Sequence, residues 1–153
     1  MKNEQGLTLI ELLVVIGLLS IVILMAAPRF NHVLSCTRLK ADAREMAWVL
    51  KTVRQESIIS GQQKTVCFYP QSTKYAIRGG DTYWFSPGIS YAGSTTFAVK
   101  QPEDKPACIF TPSGVPSAAG TVILKNQQGD KLYVIVSVAA GRVRVSSQPP
   151  DWE

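Results

Sequence analysis

The chain has 153 residues, a formal net charge of +5, 46% hydrophobic residues and 18% charged ones. That length fits one domain with an appended segment and excludes two full domains. Three cysteines at unrelated spacings and a single histidine, His32, argue against a zinc site and against a catalytic cysteine–histidine pair.

The first six residues, Met1 to Gly6, are short and polar. An apolar run from Leu7 to Ala27 follows, with Glu11 as its one charge. As a helix this run would be roughly 31 Å long, close to a ~30 Å hydrocarbon core, so it predicts a single membrane-spanning helix. A carboxylate inside such a span costs at least about 2.5–3.5 kcal/mol, so Glu11 is expected to have a partner. Nothing else in the run can pair with it. An ordinary anchor with one tolerated acid, or a cleaved secretory signal, are the alternatives; Leu24-Met25-Ala26-Ala27-Pro28 lacks a clean cleavage pattern for the latter.

Pro28 removes a backbone donor and crowds the carbonyl of Leu24, which predicts a kink there. From Asn31 to Ser60 the chain reads as an amphipathic helix. Leu39, Ala43, Met46, Leu50 and Val53 form its apolar stripe. Lys40, Asp42, Arg44, Glu45, Lys51 and Arg54 are expected on its solvent face, and Gly61 as its terminator.

Beyond Gln62 the pattern changes to short β-rich runs separated by Gly, Pro, Asn and Asp clusters. Strands are expected at Val66–Tyr69, Tyr75–Ile77, Tyr83–Phe85, Ile109–Phe110, Thr121–Leu124, Lys131–Val138 and Arg142–Val145. Gly129-Asp130 marks a hairpin turn, and Trp84 is assigned to the core. Ala92 to Ala107 reads as a mobile loop, and the tail from Ser146 as irregular. Cys67 and Cys108 are a candidate disulfide if the head lies outside the cytoplasm; the alternative is two buried thiols on neighbouring strands.

The opening Gly6-Leu7-Thr8-Leu9-Ile10-Glu11 resembles the type IV prepilin signature. The resemblance implies cleavage by prepilin peptidase between Gly6 and Leu7 and N-methylation of Leu7, with Glu11 fifth in the mature chain. Most members of the class have Phe where this chain has Leu7. It further implies that Glu11 meets the terminal amine of a neighbouring subunit during filament assembly. The physics agrees, since opposite charges in a low-dielectric setting attract strongly and each alone is costly.

The rest of the chain is similar to the GspH/FimT branch of minor pilins and pseudopilins. The matching pieces are Glu56 to Gln62, the strand ending in Cys67, Phe110 to Gly114, Thr121 to Leu124, and Gly141 to Arg144. The fold implied is α+β and pilin-like: a leader (1–6), a membrane-spanning and filament-core helix (7–27), its amphipathic half bent at Pro28 (28–61), and an antiparallel β-rich head (62–153). The implied place is the inner or cytoplasmic membrane, single-pass, with the head outside the cytoplasm. Charge counting alone points the other way, because Arg29, Arg38 and Lys40 follow the span. The implied partners are other pilin or pseudopilin subunits and prepilin peptidase. The function implied is that of a structural subunit of a type II secretion pseudopilus or a type IV pilus.

In a strand, Arg142 and Arg144 point to one side while Val143 and Val145 enter the core. The plain reading is a solvated face or a subunit contact. FimT-like minor pilins carry a GRxR element implicated in DNA capture, so the resemblance offers double-stranded DNA as a second partner. Lys125 and Lys131 extend that patch if they face the same way. No nucleophile motif, phosphate loop or ligand cluster supports an enzyme, and neither a cofactor nor a metal is expected.

Overall fold

The computed structural model describes residues 8–100 and 104–150, with side chains described outside 25–30, 99–100 and 140. Contacts divide the chain into two compact units, Met1–Leu34 and Ser35–Glu153. One helix, α1 (Leu9–Ser60), supplies the described part of the first unit and the start of the second. It ends where the sequence says: Gly61 follows with φ +63°, the left-handed conformation that stops a helix. The cleavage residues Gly6 and Leu7, and the side chain of Pro28 with its expected kink, lie outside what the structure describes.

The expected membrane span is corrected by the structure. Among the described residues, no helix is long and apolar enough to cross a membrane. The described apolar side chains run from Leu9 to Leu24, about 24 Å of helix against a ~30 Å hydrocarbon core. Glu11 lies within them. The single-pass placement in the inner membrane and the membrane-embedded state before assembly fall with that span.

The second unit holds two antiparallel sheets. The first has the order β3-β2-β1-β6-β5, built from β1 (Lys64–Tyr69), β2 (Lys74–Ile77), β3 (Thr82–Trp84), β5 (Val99–Lys100) and β6 (Lys105–Phe110). The second has the order β4-β7-β8-β9, from β4 (Ser90–Tyr91), β7 (Gly120–Lys125), β8 (Lys131–Val136) and β9 (Val143–Ser146). Every strand expected from the sequence is present within a few residues. The hairpin turn at Gly129-Asp130 joins β7 to β8, with the Asn126 side chain accepting from the Gln128 and Asp130 N–H groups.

The helix stripe is the one read from the sequence. Leu39, Ala43, Met46, Leu50 and Val53 are buried with Val66, Phe68, Tyr75 and Phe110 of the first sheet and Val122, Leu124, Val134 and Val136 of the second. Asp42 departs from its expected solvent face. It is 4% exposed, and its carboxylate accepts from both the N–H and the hydroxyl of Ser86 at 2.8 Å. Two hydrogen bonds compensate a carboxylate withdrawn from water and tie α1 to the loop after β3.

The segment expected to be a mobile loop, Ala92 to Ala107, is partly core. Phe97 is buried and stacks on Phe68 with ring centroids 5.1 Å apart. The Cys67–Cys108 disulfide is also corrected. The register pairs Val66 with Cys108 and Cys67 with Ala107, so the two thiols sit on adjacent strands but point to opposite faces of the sheet. No disulfide joins them. Cys108 faces the core, and burial pushes its thiol up to about 12.

Candidate functional site

Two regions carry the residues singled out by the sequence. The first is the start of α1. Glu11 is exposed in the first turn, and its backbone N–H donates to the Thr8 hydroxyl at 3.3 Å. Thr8 thus caps the helix, and Thr8-Leu9-Ile10-Glu11 has the spacing of a capping box, a local signal the sequence reading passed over. The next turns are apolar on every side. Leu9, Ile10, Leu13, Ile16, Leu19 and Ile23 are all exposed, and Leu9 is 76% exposed. An all-round apolar helix is stable when other apolar surface covers it.

The second region is the outer face of the four-stranded sheet. Val143 is buried and Val145 packs against the core, which turns Arg142 and Arg144 outward. Arg142 follows the turn Ala139–Gly141 in extended conformation, and Arg144 lies opposite Ile135. The two arginines line one cavity of about 170 Å³ with Ile135 and Ser137. Lys125 and Lys131 are direct cross-strand partners. Lys131 is four residues from Ile135 on β8, so it shares the face of Arg144. All four cations therefore sit on one side of the sheet, as two pairs roughly 13 Å apart along β8. Like charges placed directly opposite repel, and a bound anion would relieve that repulsion.

The position of the arginine pair is set from behind. Gly141 has φ +60°, and a Cβ there would lie 2.6 Å from the Gly114 carbonyl oxygen and 2.7 Å from Arg54 Nε. Arg54 Nε donates to that same carbonyl at 2.9 Å. A helix arginine and two glycines thus interlock with no room for a side chain at Gly141.

Comparison with known proteins accords with this architecture. Residues 1–27 match the prokaryotic N-terminal methylation motif, and residues 42–141 match the family described as type II transport protein GspH. Two fimbrial proteins of Pseudomonas aeruginosa align over all of this chain and 93% of their own length, at 30% and 22% identity. The minor pseudopilin EpsH from the type 2 secretion system of Vibrio cholerae superposes with a TM-score of 0.57 at 14% identity, covering 71% of this chain and 96% of its own. The type IV minor pilin FimU of Pseudomonas aeruginosa also gives 0.57, at 13% identity, covering 75% of this chain and 94% of its own. The chain belongs to the GspH family and is a non-catalytic structural subunit of the minor pilin and pseudopilin class.

Proposed function

We propose that prepilin peptidase cuts this chain between Gly6 and Leu7, that Leu7 is then methylated, and that Glu11 pairs with the Leu7 ammonium of a neighbouring subunit. The observation that carries this reading is the helix from Leu9 to Leu24, apolar and exposed on all sides with one acid in its first turn. Equivalent helices of other subunits would cover that surface. Inside such a bundle the dielectric is low, and a carboxylate is stable when a cation meets it. Mass spectrometry of the native protein should show a chain that starts at methylated Leu7. Gly6→Leu should leave the leader in place. A native chain beginning at Met1 rules the proposal out.

A second reading is supported by the four cations on the outer sheet face. Arg142, Arg144, Lys125 and Lys131 would contact phosphates of double-stranded DNA without reading its sequence. Two guanidinium groups beside one cavity suit phosphate oxygens. Titrating the full chain with duplex DNA at about 50 and about 200 mM salt should show a steep loss of affinity. Arg142→Ala with Arg144→Ala should flatten the log–log salt slope by about two. An unchanged slope would remove these arginines from the interface.

A further inference from the structure

The outer face of the five-stranded sheet carries a row of alternating aromatic and basic side chains. Cross-strand register places Tyr69 opposite Lys74 and Lys74 opposite Trp84. Lys74 Nζ lies 5.0 Å from the Tyr69 ring centre and 5.2 Å from that of Trp84. Lys105 reaches the same tyrosine from the other side, with Nζ 5.8 Å from its ring centre. The order across the sheet is therefore indole, ammonium, phenol, ammonium, with neighbouring strands about 4.8 Å apart.

Trp84 is 62% exposed, although it stands in a strand whose neighbours Tyr83 and Phe85 pack inward. The parity of the strand, fixed by Tyr75 opposite Tyr83, puts Trp84 outside. Tyr69 lies between two cavities on this face. One, of about 350 Å³, is lined by Gln71, Ser72, Asp104 and Lys105 among others. The other, of about 160 Å³, is lined by Cys67, Ala76, Arg78 and Thr82 among others. Asp104, which lines the larger cavity with Lys105, offsets part of this positive charge.

We propose that this row binds single-stranded nucleic acid. Trp84 and Tyr69 are roughly 10 Å apart, two strands across the sheet, and offer stacking surfaces to separate bases. Lys74 and Lys105 stand between and beside them to meet the connecting phosphates. Aromatic rings interleaved with cations are what sequence-tolerant single-strand binding needs, because every base has a π-face. Charge complementarity selects an anion, and the exposed indole selects an anion that carries flat rings. The surface is separate from the arginine pair, which lies on the other sheet, and the inference does not depend on filament assembly.

The test is fluorescence anisotropy of a labelled oligothymidylate with the full chain at about 50 mM salt. Trp84→Ala should weaken binding at least about five-fold, while Trp84→Phe, which keeps a ring, should stay within about two-fold. Lys74→Ala with Lys105→Ala should weaken binding and flatten its salt dependence. Far-UV circular dichroism of each variant shows whether the head is intact, and Trp84→Thr, a β-former without a ring, serves if Trp84→Ala is not. Absence of binding overturns the proposal. So does binding that Trp84→Ala leaves unchanged, or equal binding of ring-free heparin, which would mark the face as a general polyanion surface.

Discussion

Replacing Glu11 with Ala is expected to leave cleavage intact and nearly abolish incorporation into filaments. The size of the effect follows from what remains. Without the carboxylate, the Leu7 ammonium of the proposed pair would stay buried and unpaired among apolar helices. Breaking one side of a buried ion pair costs about 3–5 kcal/mol. At 1.4 kcal/mol per tenfold, incorporation falls by roughly two orders of magnitude or more. Immunoblots of sheared filaments against cell-associated protein measure it. Glu11→Gln should be nearly as defective, because it keeps the shape and loses the charge. The helix start is not confounded, since the Thr8 hydroxyl is held by the backbone N–H of residue 11, which alanine retains. Thr8→Ala, costing about 1 kcal/mol as a lost cap, separates the two roles. Wild-type incorporation of Glu11→Ala would end the pairing idea.

Gly141→Ala lowers the stability of the head by about 3 kcal/mol, whereas Gly61→Ala costs about 1 kcal/mol. Both glycines have nearly the same positive φ, +60° and +63°. They differ in space. A Cβ at Gly61 meets nothing within 4 Å, and one at Gly141 meets the backbone oxygen of Gly114 at 2.6 Å. The shared conformation supplies the common part of the cost, and the clash supplies the difference. Arg54 cannot relieve it cheaply, because its Nε is already bonded to that oxygen. Thermal melts should therefore separate the two variants by several degrees, at about 4 °C per kcal/mol for a unit of this size. Because Gly141 precedes Arg142 directly, the same variant should also disturb the arginine pair. Equal melting temperatures for the two variants would show that space at Gly141 does not matter.

Much of this was legible from residue pattern. The buried stripe on α1 is unambiguous because five apolar residues recur at steps of three and four. The strands announce themselves as β-branched and aromatic runs between turn residues. Where the reading missed, a longer-range constraint had decided the outcome. Trp84 looks like core from its neighbours, but strand parity turns it outward once Tyr75 and Tyr83 face the interior. Asp42 looks like solvent face, yet a loop serine more than forty residues away satisfies it in the interior. β4 and β5 have two residues each, too few to produce a period. The role of Gly141 has no local signal, since the carbonyl and guanidinium that crowd it come from distant segments. The one-sided placement of the four cations depended on register, which sequence alone does not fix.

The opposite orientations of Cys67 and Cys108 carry a consequence for biogenesis. Oxidation cannot staple this domain across β1 and β6 without turning one strand over. Reductants should therefore leave its melting behaviour unchanged. The helix stripe, the Asp42 clasp and the glycine interlock hold the head together equally well on either side of a redox boundary.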